Sequence, residues 1–158
     1  MKKSTYERIK KEAMYVPDED SFRRGTTYYI SADGDDTNMG TDIGHPWKTV
    51  RPINAKGVFG PGDRVLFRGG DKFAGGLCIF MNGSGDALCE LGSYGEGKAV
   101  FTDTAPFTSP ICTVADSEYV IVRDLVFSGT EGKNYPGLEF RPLNYSVGLV
   151  ISSSRRSG

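Results

Sequence analysis

The stretch 33–42 carries Asp33, Asp35, Asp36, Asn38 and Asp42, hard oxygen donors of the kind that Ca²⁺ takes. The spacing is not that of an EF-hand: counting from Asp33, the sixth position is Asn38 rather than glycine and the twelfth is Gly44 rather than glutamate. Asp and Asn also populate turns for local reasons, because their side chains bond nearby backbone. A calcium site built on Asp33, Asp35, Asp36 and Asn38 and a plain turn therefore both stand. A later set of charges comprises Arg123 beside Asp124, then Glu131, Lys133, Glu139 and Arg141. Arg123, Glu131 and Lys133 are the candidates here for proton transfer or charge neutralisation, against a solvated face as the plainer reading. Trp47 offers a flat ring for stacking, although its spacing to Val50 and Ile53 favours packing. His45 precedes Pro46 and is the only histidine, so no Ser–His–Asp set can be assembled. The GSYGEG segment is not followed by the helix that a phosphate-cradling loop opens.

Cys78, Cys89 and Cys112 sit in the apolar runs LCIF, ALCEL and ICTV. Their spacing fits no zinc pattern and their number is odd. They are expected to be reduced and inward-facing, as free cysteine commonly is.

The elements that position these residues are short. In a chain of 158 residues, 21 are glycine, about 13% against a usual ~7%. With eight prolines and scattered β-branched and aromatic residues, this composition predicts many short strands joined by turns. The balanced charge, −1 overall, and the absence of a basic stripe argue against nucleic acid as a partner. No run approaches the ~20 apolar residues of a membrane-spanning helix. The N-terminus starts with lysines but lacks the apolar core of a signal peptide, which points to the cytoplasm for the chain as given and to secretion for a parent with a different N-terminus.

Residues 4–15 read as a helix opened by the Ser4–Glu7 capping box and stopped by Pro17, so 1–25 is expected to form a helical arm. Residues 26–158 form the second unit. TTYYIS (26–31) is a strand. Pro46 suits a helix start, with Trp47, Val50 and Ile53 on one face, although Pro52 argues for a short helix. Strands are then expected at 63–69, 76–80, 87–91, 98–102, 110–114, 119–122, 124–127 and 147–152.

Val65, Leu88 and Ile111 open apolar runs at intervals of 23 residues; Leu77, Val100 and Ile121 form a second series. A period near 22 is the mark of a coiled repeat whose turns stack. An antiparallel sandwich also yields regular short strands. The coiled reading predicts that Val65, Leu88 and Ile111 share one inward ladder.

Three blocks carry a resemblance. YYISADGDDTNMGTDIGHPWKTV, PGDRVLFRGGDKFAGGL and LGSYGEGKAVF resemble the N-terminal portion of right-handed parallel β-helix proteins of the pectate-lyase-like superfamily. The likeness covers about residues 26–130. It implies an all-β fold, a right-handed parallel β-helix with an N-terminal capping helix at 46–57, truncated after a few coils. It also implies a carbohydrate-active parent, a polysaccharide lyase or a glycoside hydrolase. Its partner would be a polysaccharide or oligosaccharide, with Ca²⁺ as the one cofactor in view. Under this reading Arg123, Glu131 and Lys133 are the groups available to a sugar groove, and Trp47 is the stacking residue. The chain alone is expected to be inactive and prone to self-association through an open coil end. A non-catalytic carbohydrate-binding or structural module of the same fold is the alternative.

Overall fold

The structure, a computed structural model, describes residues 18–102, 111–128, 138–141 and 150–152. The expected helix at 4–15 lies outside the described residues, as do Glu131 and Lys133. A 3-10 turn, Glu19–Phe22, comes first, its start held by Asp18, whose carboxylate accepts from the Ser21 amide.

The strands are β1 (Thr27–Ile30), β2 (Val58–Phe59), β3 (Arg64–Arg68), β4 (Lys72–Ala74), β5 (Leu77–Met81), β6 (Cys89–Tyr94), β7 (Ala99–Thr102), β8 (Cys112–Ala115), β9 (Val120–Arg123), β10 (Leu125–Ser128), β11 (Leu138–Arg141) and β12 (Val150–Ser152). Among the described residues one α-helix, α1 (Arg51–Lys56), lies between β1 and β2. Three sheets result, ordered β1-β3-β6-β9-β12, β4-β7-β10 and β2-β5-β8-β11. Every strand pairing is parallel. From β3 onward the chain visits the first, second and third sheets in strict rotation. The sandwich alternative required β3 and β5 to form a hairpin; they lie in different sheets.

Alternation within the strands builds the core. Val65 and Phe67 of β3, Leu77, Ile79 and Met81 of β5, and Cys89 and Leu91 of β6 are fully or almost fully buried. Phe67, Phe73, Phe101 and Phe127 form an aromatic stack through the interior, with ring centroids 4.7 Å apart for Phe67–Phe101 and 5.6 Å for Phe101–Phe127.

The expected ladder is corrected. Val65 pairs with Leu91 and Leu91 with Val122, steps of 26 and 31 residues. Leu88 lies just before β6, and Ile111 adjoins the third sheet, its carbonyl accepting from the amides of Gly76 and Leu77. The second series fares likewise: Leu77, Val100 and Ile121 stand in three different sheets. Each circuit holds three strands, so equal spacing between apolar runs jumps from sheet to sheet instead of marking one position.

The helix differs as well. It spans Arg51–Lys56, with Pro52 rather than Pro46 in its first turn, where a missing N–H costs nothing. Trp47 is extended: its amide donates to the Tyr29 carbonyl (2.9 Å) and its carbonyl accepts from Ser31 (2.8 Å). Together with the Gly40 carbonyl, which accepts from Tyr29, this segment covers the free edge of β1. Ile53 of α1 is fully buried, and Asn54 takes the place of a strand neighbour: its amide donates to the Gly76 carbonyl and its oxygen accepts from the Cys78 amide, both at 2.9 Å. Among the described residues no helix is long and apolar enough to cross a membrane.

Cys89 and Cys112 are buried, and burial pushes each thiol up to about 12. Cys78 is exposed, a correction to the expectation for all three: Leu77 and Ile79 point inward, so the residue between them must point out. Native thiol titration should therefore show one fast equivalent, removed by Cys78→Ser, with the other two reacting only on unfolding. Three fast equivalents would contradict the packing.

Candidate functional site

The outward face of the first sheet gathers the chemistry. Tyr29 of β1 and Tyr94 of β6 meet edge to face, centroids 5.2 Å apart, and both are half-buried. Arg68 of β3 stands opposite Tyr94 in the register and pairs with Asp33 at 3.0 Å. Asp71 accepts from the Ala32 amide (2.9 Å) and the Ser31 hydroxyl (3.3 Å), tying the loop after β1 to the turn after β3. Burial raises the Tyr94 phenol above its ordinary value, with Arg68 opposing, so it stays a neutral hydrogen-bonding group. Two partly exposed rings flanked by an arginine and a carboxylate form a surface suited to a flat, hydroxyl-rich molecule.

Further along the same face lies a group that composition and spacing did not single out. Glu90, in the centre of β6, is 1% exposed. Arg64 of β3 donates from Nε to its Oε2 at 2.7 Å, and Arg123 of β9 donates from Nε to its Oε1. Three successive strands thus form an Arg–Glu–Arg ladder. Gly92 makes room for it: a Cβ there would stand 3.2 Å from Glu90 Oε1 and 3.2 Å from the Arg123 carbonyl. Arg64 also lies over the Phe22 ring, 4.5 Å from its centroid, and reaches Glu19 at 3.3 Å. The 3-10 turn is thereby pinned to the sheet. Arg123, a catalytic candidate from sequence, is committed to this structural ladder.

The loop acids point to separate partners. Asp35 accepts from the Thr37 amide and hydroxyl, at 2.8 and 2.7 Å. Asp36 accepts from the amides of Lys48 and Thr49, both at 2.8 Å, and from the Thr49 hydroxyl at 2.6 Å. Asn38 donates to the Pro46 carbonyl and Asp42 accepts from Gly44 and contacts His45. No group of three His, Cys, Asp or Glu placed to share a metal ion occurs among the described residues. Asp35, Asp36 and Asn38 thus hold the turns of this loop, while the Asp33 carboxylate pairs with Arg68.

Trp47 is 8% exposed. Its ring stacks on Tyr28, centroids 5.2 Å apart, and its Nε1 donates to the Asn38 carbonyl at 2.7 Å. Gly40 presses against it so closely that a Cβ would come within 2.6 Å of the ring. The indole is a packing element at the covered end, with little ring surface open to a ligand.

Burial pushes the Asp36 carboxyl up, but the Thr49 hydroxyl and the Thr49 and Lys48 amides outweigh it and hold it below its ordinary value. The group therefore contributes stability that is fully present above the unfolded value of 3.8 and is lost as pH falls through the lower folded one. Asp36→Asn should be less stable than the parent by a constant amount near neutrality. That gap should close below about pH 4, read from unfolding midpoints across pH. A gap independent of pH would contradict the loop geometry.

No family model matches the chain. A curated lacto-N-biosidase from Bifidobacterium longum subsp. longum is 41% identical over 83 residues, covering 48% of this chain and 5% of that protein. The native structure of the GH136 lacto-N-biosidase from Eubacterium ramulus matches with a TM-score of 0.54 at 23% identity, over 70% of this chain and 22% of that one. Its selenomethionine derivative matches with a TM-score of 0.54 at 22% identity, over 82% of this chain and 24% of that one. The chain thus spans a small part of each relative's length, and the likeness to the solved structures is one of fold.

Proposed function

We propose that the chain is the N-terminal part of a carbohydrate-active enzyme, a glycoside hydrolase built on a right-handed parallel β-helix, and that its described coils serve as scaffold and saccharide-facing surface rather than as the cutting site. The observation that carries this reading is the strict rotation of parallel strands through three sheets, an arrangement that a stacked coil produces. Right-handedness follows from the strong preference of parallel crossovers. The relatives bear the name of a glycosidase, which favours hydrolase over lyase within the expected superfamily likeness. By the same token the substrate class is an oligosaccharide, and Tyr29 and Tyr94 are the surface offered to it.

Glycoside hydrolysis in most families needs two carboxyl groups facing each other across the scissile bond. Three acids among the described residues are tied elsewhere: Glu90 to two arginines, Asp63 to the amides of Thr26 and Gly60, Asp36 to Thr49. The purified chain should accordingly give no turnover of an aryl lacto-N-bioside, the chromogenic form of the unit the relatives are named for. It should bind lacto-N-biose-terminated oligosaccharide in a manner weakened by Tyr94→Ala. Turnover abolished by changing Glu131, Lys133 or Arg123 to alanine would overturn the scaffold role. Absence of any saccharide binding would overturn the saccharide-facing surface.

A further inference from the structure

A concavity that neither tyrosine lines lies between the segment after β1 and the edge of the second sheet. It encloses about 390 Å³, within the range of small-ligand sites. Val50, Phe73, Ala74 and Gly75 supply an apolar floor, and Lys48, Arg51 and Lys72 supply the charge. Val50 and Phe73 are buried, whereas the three cations are exposed.

Among the described residues no acid lines this cavity. The nearest carboxylates are turned to other work. Asp36 sits close enough to Arg51 to feel it, but its oxygens are filled by Lys48 and Thr49 donors. Asp35 lies near Lys48 and is filled by Thr37. Asp71 accepts from Ser31 and Ala32. Three like charges around a concave, low-dielectric wall repel one another and focus positive potential into it. Such an arrangement gains by taking up an anion. A bare inorganic anion would leave the apolar floor unused. A pyranose carrying one acidic group uses both, since its C–H face can rest on the exposed Ala74 methyl while the acid meets the cations. Among the described residues β4 has a strand neighbour on one side only, so backbone groups of the edge are at hand for hydroxyls.

We propose that this cavity is a binding subsite for an anionic sugar unit, one bearing a carboxylate or a sulfate ester, held by Lys48, Arg51 and Lys72. The choice of a sugar rests on the carbohydrate reading above; the choice of an anion rests on the cavity alone. The test is amide-resolved NMR titration of the intact chain with glucuronate, galactose 6-sulfate, galactose and inorganic sulfate, run beside the cleavage assay. An acidic sugar should shift the amides of Ala32, Thr49, Ala74 and Gly75 and bind at least about tenfold more tightly than galactose. Arg51→Ala with Lys72→Ala should weaken it by about tenfold or more, with the thermal midpoint close to that of the parent. Glucuronate and galactose 6-sulfate separate the two acid types, and success with either sustains the subsite. Equal binding of galactose, equal binding of inorganic sulfate, or shifts confined to other amides would each overturn it. The titration is read on the parent protein, so a variant that fails to fold leaves the outcome decidable. Failure of the cleavage reading does not move this result, because no turnover is measured in it.

Discussion

Glu90→Ala is expected to lower the unfolding free energy by about 3–5 kcal/mol, the usual cost of removing one partner from a buried ion pair. The reason lies in what remains. Glu90 is 1% exposed, and the Arg64 and Arg123 side chains only 17% and 25% exposed. Without the carboxylate, two guanidinium groups stand on the two strands that flank β6, partly desolvated and mutually repulsive. Arg64 also anchors the 3-10 turn through Phe22 and Glu19, so the loss should extend to that segment. Urea unfolding measures the total. A triple variant, Arg64→Met with Glu90→Leu and Arg123→Met, should recover most of the loss, because apolar residues of similar volume often replace a buried ionic triad at little cost. An unchanged midpoint in Glu90→Ala would mean that the ladder is solvated and the carboxylate dispensable.

That ladder also shows where sequence reading stops. Glu90 sits inside ALCEL, a run whose apolar character marks a strand and whose acid looks like an outward, solvated residue. Its partners lie 26 and 33 residues away. Only the parallel register, set by which side chains face the interior, brings them together. A usable signal existed in hindsight: an acid at an outward position of one strand, with arginines at outward positions of two others that carry the same apolar alternation. Arg123 was visible as a candidate for chemistry because charge is legible, while its partner was not.

The strands themselves were readable for a local reason. Leu77–Ile79 and Ala99–Phe101 alternate with period two, a property of the strand alone. β2, β4 and β11 escaped notice: two of them are only two or three residues long, and β11 carries Glu139 and Arg141 between its apolar residues. Register was illegible because the turns between strands differ in length, so successive circuits advance by different numbers of residues. The turn chemistry was readable where one side chain does the work. Asp63 after Pro61-Gly62 accepts from the amides of Gly60 and Thr26, as an aspartate in a turn can. The spacing of three from Trp47 to Val50 and Ile53 fits a helical face, yet the Trp47 backbone pairs with Tyr29 and Ser31 as an extended segment.

Phe101→Ala is expected to be as damaging as the loss of Glu90, by a different route. Phe101 is fully buried at the centre of the aromatic stack. It touches Phe67 of the first sheet edge to face at 4.7 Å, Phe73 of its own sheet at 5.8 Å and Phe127 one circuit on at 5.6 Å. Truncation removes apolar contact with two sheets and with the circuits before and after, and leaves a cavity that strands fixed in a ladder cannot readily close. Such changes cost about 3–5 kcal/mol. Phe101→Leu keeps most of the volume and should cost markedly less. Val126→Ala is the control, since Val126 lies on the neighbouring strand β10 but is 39% exposed. The Phe67→Leu, Phe101→Leu double-mutant cycle isolates the edge-to-face contact, with a coupling of about 0.5–1.5 kcal/mol expected. If Phe101→Ala shifts the unfolding midpoint no more than Val126→Ala, the ring is not at the centre of the core. The three sheets would then have to be held together by some other contact.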